Sequence, residues 1–299
     1  MIGISVADST GIGTNRRDPA GPADHQVPVI TVKSEDNSRY LACMMVGSMH
    51  PTVLHEDSTL ISGDFPGMAK LYLKDKVLGS VCVMLYHNGP CGNQSPRHVV
   101  RGTTFAEAER LGTILGKAVE KSLESVTTLT DVTVGAVRTL IDDLPRKQFP
   151  PLASAKEKLS RLQLEIEEMR SQGAPAPEVR TVECDIFGAE EVVTLAQLSA
   201  DGGLAAYYGE SLPAEVQVIT IGPWKFVGWS GEVFVEYGLR IKAEFPDVFV
   251  ISLANGEFQG YIVTQEAAAE GGYEASNSLF APEAGEELVK VTERLLRSV

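Results

Sequence analysis

Five side chains in this sequence stand where chemistry could be done: His50, Ser95, Glu232, Tyr261 and Tyr273. Gly231-Glu232 sits where a loop turns into an amphipathic helix with Val235 and Leu239 on one side. Residues 247–253 (DVFVISL) form a short, almost continuously apolar run, which reads as a strand buried on both faces. The chain leaves it through Asn255-Gly256 and places Tyr261 and Tyr273 twelve residues apart in a long polar loop with glycines. A carboxylate at a helix start and two phenols beyond a buried strand suit a site at a sheet edge, although the same residues also serve ordinary loops. His50 follows the apolar run 40–46 (YLACMMV) and precedes Pro51, which places it to face a cleft. His55 lies off the face of His50 in either a helix or a strand. With Glu56 and Asp57 it reads as solvated loop.

Ser95 belongs to 87–98 (HNGPCGNQSPRH), a tight polar turn after the strand expected over 79–86 (GSVCVMLY). Such a turn suits a nucleophile or anion-binding amides, and it equally suits a serine that caps backbone. Cys91 in the same turn has no assigned histidine or helix N-terminus to activate it. Gly11-Ile12-Gly13 carries no dinucleotide fingerprint, because Arg16 stands where the third glycine is required.

The elements that must position these residues alternate. Strands are expected over 27–33 and 40–46, a short helix over 68–75, and a buried strand over 79–86. Thr104 and Glu107 make a capping box that opens a helix to about residue 126, with Phe105, Leu111, Ile114, Leu115, Ala118 and Val119 as its buried stripe. A weak strand over 131–140, a charged helix over 153–170, a loop over 173–177, helices over 191–198 and 204–208, and a strand over 215–221 follow. The alternation predicts an α/β domain with a mixed β-sheet and flanking helices, in a chain long enough for one large domain or two small ones.

With 299 residues, 43% of them hydrophobic, the chain can bury a full core. A net charge of −14 argues against nucleic acid or an anionic membrane as partner, since both require a basic face. No apolar run reaches the roughly 18 residues of a membrane span, and the first residues have neither the basic nor the apolar region of a secretory signal. Cys43, Cys82, Cys91 and Cys184 lack CxxC spacing and read as reduced thiols of a cytoplasmic protein.

Taken together, these motifs resemble the neutral ceramidase family of zinc-dependent amide hydrolases. Gly13-Thr14-Asn15-Arg16-Arg17 followed by Gly21-Pro22-Ala23-Asp24 is similar to that family's linker before a strand. His50, then Ile61-Ser62-Gly63-Asp64 opening a helix, matches its N-terminal half, and Gly231-Glu232, Asn255, Gly260-Tyr261 and Tyr273 match in order and spacing. The resemblance implies zinc bound by His50, Glu232 and Tyr261, with Ser95 as the active-site serine and Tyr273 beside the substrate carbonyl. Around Ser95 the match departs: Asn93 replaces an acid, Gln94 an apolar residue and Arg97 an asparagine.

The family's His-Thr-His element, which precedes the linker, has no counterpart among His25, His50, His55, His87 and His98. The resemblance therefore implies a single ceramidase-like α/β domain spanning 1–299, incomplete at its N-terminus. A second polypeptide carrying the missing zinc ligand would complete a split enzyme, a hetero-oligomer acting on a small soluble amide rather than ceramide. A non-catalytic structural or regulatory subunit that kept the fold but not the metal site is the alternative, and a chain shortened at its start is a third reading.

Overall fold

The structure, a computed structural model, describes residues 1–56, 58–130 and 132–299. Asp57, read as solvated loop, and Asp131, read as a strand start, lie outside the described residues. In the N-terminal half, β1 (Ile2–Asp8), β2 (Thr14–Asn15), β3 (Gln26–Lys33), β4 (Tyr40–Gly47), α1 (Asp64–Leu73), β5 (Val83–Asn88), β6 (Gln94–Ser95), α2 (Phe105–Ser122) and β7 (Thr127–Leu129) follow one another. Five of the strands form a sheet in the order β5-β4-β3-β1-β7. It is mixed: β4 and β5 run parallel, and the other neighbours antiparallel.

Successive residues of a strand face opposite sides, so each face of this sheet needs its own cover. On one side Val27, Val29, Cys43 and Met45 are buried with Phe65 of α1 and Leu111 of α2. The two helices approach so closely that a Cβ at Gly112 would lie 2.6 Å from the Phe65 carbonyl oxygen. On the other side Ile4, Ile30 and Val46 pack against Trp224, Phe226 and Phe249 of a second sheet. Trp224 meets Phe249 edge to face at 5.0 Å, the arrangement that aromatic quadrupoles favour.

That second sheet comes from the C-terminal half. There the order is β8 (Val134–Ile141), α3 (Leu152–Ser171), α4 (Ala176–Ala200), α5 (Leu204–Ser211), β9 (Ala214–Ile221), β10 (Trp224–Gly228), β11 (Glu232–Val233), α6 (Val235–Glu244), β12 (Val248–Ile251), β13 (Tyr261–Ile262), α7 (Gln265–Glu270), α8 (Tyr273–Ser276) and α9 (Glu283–Leu296). Its strand order is β12-β10-β9-β8, with only β12 and β10 parallel. Its outer face, including Val216, Val218, Val227 and Val250, buries against Ile241 of α6 and Leu288 of α9. Helices, sheet, sheet and helices thus stack as four layers. No helix among the described residues is long and apolar enough to cross a membrane.

Several expectations change. The strand expected to be buried over 79–86 is the edge strand β5, with Val83 and Leu85 exposed at 58% and 47%. An apolar run does not reveal whether a neighbour exists on both sides. Phe105 is exposed because it is the first residue of α2, outside the stripe that Leu111, Leu115 and Val119 bury. The helix expected over 191–198 is the end of the much longer α4, whose start falls inside the expected 173–177 loop. Pro177 stands in its first turn, where a missing N–H costs nothing. The sequence reading passed over β1, which lies between β3 and β7; its buried polar Ser5 is within hydrogen-bond distance of Ser122 at 3.0 Å.

Trp229 of the second core is fully buried, and its indole N–H donates to Thr292 Oγ1 of α9 at 2.8 Å. Thr292→Val keeps the shape and removes the acceptor. We expect a loss of about 1–3 kcal/mol in urea unfolding; a loss below about 0.5 kcal/mol would contradict the packing described.

Candidate functional site

Two ribbons of two residues each assemble the site. β11 pairs with β13 in parallel, setting Glu232 beside Tyr261, and β2 pairs with β6, setting Thr14 beside Ser95. Backbone bonds tie the ribbons together: Arg16 N–H donates to Asn93 O, Gly92 N–H to Val233 O, and His50 N–H to Gln94 O. A Cβ on Gly92 would lie 2.8 Å from the Glu232 carbonyl oxygen, so only glycine allows this approach.

His50 stands just after β4. Its loop is held by Asp64, whose carboxylate accepts the Val53 and Leu54 N–H groups at 3.0 and 2.9 Å. Asp64 does this from a left-handed backbone conformation, φ 49°, that a short polar side chain tolerates. The imidazole Nδ1 lies 2.6 Å from Cys91 O and 3.1 Å from Gln94 O, so it carries a proton. Nε2 lies 2.6 Å from Glu232 Oε2. Burial works against charge on His50, but its Cys91 and Glu232 contacts prevail and raise its pKa to about 10. Burial likewise works against the Glu232 carboxylate, which His50 and Tyr261 nevertheless hold below its ordinary range.

Tyr261 and Tyr273 are not loop residues: one is in β13 and the other opens α8. Their rings stand 5.6 Å apart at 66°, and Tyr261 is 6.3 Å from the His50 ring. Burial is the main cause that pushes the Tyr261 phenol pKa upward, so the group is neutral. Asn277 anchors both tyrosines: its carbonyl accepts the Tyr261 N–H, and its own N–H donates to the Tyr273 carbonyl. The Asn277 carbonyl oxygen would lie 2.0 Å from a Cβ at Gly260, where φ is 72°. The Lys147 ammonium closes the far end of α8 by donating to the Ala275 and Ser276 carbonyls, and burial depresses its pKa to about 8.

Ser95 is buried and accepts the Arg97 N–H at 3.2 Å. His50, Ser95, Glu232, Tyr261 and Tyr273 all line one cavity of about 940 Å³. The sequence reading assigned no role to Arg16, which is central here. Its guanidinium lies 5.2 Å from the Tyr261 ring centre and 5.9 Å from that of Tyr273, pairs with Glu274 at 2.7 Å and donates to Gly92 O. The only trace of it in the sequence was the linker motif. Its neighbour Arg17 also pairs with Glu274, at 2.9 Å. His55 and Glu56 lie in a loop, as expected, with Glu56 exposed; both also line the cavity, and Glu56 accepts a two-pronged contact from Arg180 of α4.

The donors suit a borderline divalent cation. His50 keeps its Nδ1–H on carbonyls, as metal-binding histidines do, and a cation can replace the proton on Nε2. Among the described residues Glu232 has no arginine as an ion-pair partner, and Tyr261 adds a phenol oxygen. Among the described residues no group of three or more His, Cys, Asp or Glu side chains gathers at metal-binding spacing, so this chain offers one imidazole, one carboxylate and one phenol.

No family model matches the chain, and no curated protein matches it. Solved structures do. The crystal structure of neutral ceramidase from Pseudomonas aeruginosa is 18% identical, with a TM-score of 0.66 over 97% of this chain and 50% of that one. A ceramidase complexed with C2 is 15% identical, with a TM-score of 0.64 over 98% of this chain and 54% of that one. The chain thus has a neutral-ceramidase-like α/β fold and spans about half the length of the structures it matches.

Asn93, which stands where the resemblance has an acid, is fully buried. Its Nδ2 donates to both Glu236 oxygens at 3.0 and 2.8 Å, and its Oδ1 accepts the Val235 N–H. Asn93→Asp would set a buried carboxylate against the half-buried carboxylate of Glu236. We expect it to destabilise the fold by about 2–4 kcal/mol at pH 7. The variant pair would bind a proton more tightly folded than unfolded, so the deficit should shrink as pH falls toward about 5. A deficit independent of pH would contradict the contact.

Proposed function

We propose that the protein hydrolyses a C–N amide bond in a small substrate with a divalent metal ion, zinc, held by His50, Glu232 and Tyr261. The observation that carries this reading is the contact of His50 Nε2 with Glu232 Oε2 beside Tyr261, in the same cavity as Ser95 and Tyr273. The two similar structures are ceramidases, and the amide-cleaving reading follows their name. What a bound ion supplies is Lewis acidity toward a carbonyl and water acidified from a pKa of about 15.7 to about 7.

The chain's own residues do the rest. Cys91 and Gln94 fix the His50 ring by holding its Nδ1 proton. Tyr273 accepts a bond from Asn277 Nδ2 at 3.4 Å, leaving its O–H to donate to the carbonyl oxygen as negative charge gathers there. Arg16 beside both tyrosines favours that same charge. Ser95 presents its hydroxyl to the cavity as nucleophile or as guide for water. Water attacks the carbonyl carbon, or Ser95 attacks first and water then cleaves the ester it forms; the C–N bond breaks, the departing nitrogen takes the proton of the attacking hydroxyl, and a carboxylic acid and an amine result.

A second polypeptide would add a histidine donor and cover apolar side chains such as Val83 and Leu85 at the β5 edge. The Arg180–Glu56 ion pair in the cavity wall favours a small soluble amide over a ceramide. Four free cysteines, three of them buried, suit the reducing cytoplasm.

Metal analysis of the chain, alone and with any co-encoded partner, tests the reading. We expect one zinc per chain in at least one preparation, lost in His50→Ala and Glu232→Ala and retained in Ser95→Ala. Tyr273→Phe should keep the metal and lower kcat by about 10²–10³. Zinc in neither preparation would refute the hydrolase and favour a non-catalytic subunit.

A further inference from the structure

We infer that the amide taken by this cavity carries a carboxylate, and that Arg97 is the residue that reads it. This rests on the hydrolase reading above and names the substrate class of the same site. Four arginines line the cavity. Three are neutralised within the protein: Arg16 by Glu274, Arg17 by Glu270 and Glu274, and Arg180 by Glu56 and Glu183. Arg97 alone of the four has no carboxylate within ion-pair distance among the described residues. Its Nη2 donates to Pro177 O at 3.3 Å and to Thr181 Oγ1 at 2.7 Å. Nε and Nη1 have no acceptor among the described residues.

A half-buried guanidinium with spare donors is a poor structural element in a chain of net charge −14, where carboxylates are plentiful. Its placement is informative for the same reason. It lies two residues past Ser95, and its own N–H donates to the serine hydroxyl, so serine and cation are set by one short turn. Thr181 on α4 steadies the guanidinium from across the cavity. The remaining Nε and Nη1 donors lie on different edges of the guanidinium, and either can give a charge-assisted bond to an oxygen of one carboxylate. A doubly charged phosphate would add a second negative charge to a cavity that already holds Asp185 and Glu270. Asp185, on the same helix as Thr181, is not within ion-pair distance of Arg97.

The test uses N-octanoylglycine and its neutral counterpart N-octanoylglycinamide, titrated into the full chain with zinc present and followed by calorimetry. Wild type should bind the carboxylate at least about tenfold more tightly, the scale of a charge-assisted bond. Arg97→Ala and Arg97→Asn should lose that preference while binding the amide unchanged, and Arg97→Lys should keep part of it. Equal binding of the two probes, a preference that survives Arg97→Ala, or no binding of either would overturn the inference. Turnover is scored separately. Selective binding without hydrolysis would sink the hydrolase reading and leave the anion site standing, whereas hydrolysis of both probes at equal affinity would do the reverse.

Discussion

The pairing of His50 with Glu232 is the constraint on which the site depends. The two residues are 182 positions apart, one after a strand of the first sheet and the other in a two-residue ribbon beside the second. The imidazole and the carboxylate are both half-buried, so each is costly when left without its partner. Their meeting therefore disciplines everything nearby. The glycines at 92 and 260, the left-handed Asp64 and the shared Asn277 anchor are what bring the two chain segments within 2.6 Å.

Charge inside the cavity is arranged rather than accumulated. Glu274 lies between Arg16 and Arg17, Glu56 and Glu183 hold Arg180, and Glu232 has the histidine. Among the features with spare capacity are the Nε2 position, where a proton can give way to a cation, and the Arg97 guanidinium. Those are the two charges a metal-assisted hydrolase of an anionic amide would require, one toward the carbonyl and one toward the substrate's far end. Tyr261 and Tyr273 complete the surface between them as neutral phenols that can accept or donate a hydrogen bond.

The sequence showed the mixed α/β class, the longer strands and five side chains that the structure places in one cavity. Those side chains were legible because each sits next to a glycine, a proline or an apolar run that marks an element's end. The sequence did not show what holds them. Ribbons of two residues have no period to detect, so the pairings of Glu232 with Tyr261 and of Ser95 with Thr14 leave no local trace. Arg16 looks like one more basic residue in a polar linker until folding sets two aromatic rings against it. The α4 wall was similarly hidden, because which face of a helix meets a cavity is decided by its packing against α8. Asn93 looked like a lost acid, yet it is the residue that ties the serine turn to the start of α6.

The most direct measurement is crystallographic: anomalous scattering from zinc-soaked crystals, collected on both sides of the zinc absorption edge. The account predicts one strong peak about 2.0–2.2 Å from His50 Nε2 and from a Glu232 oxygen, with Tyr261 turned toward it. A map with no peak there, and with imidazole and carboxylate still in direct contact, would contradict it.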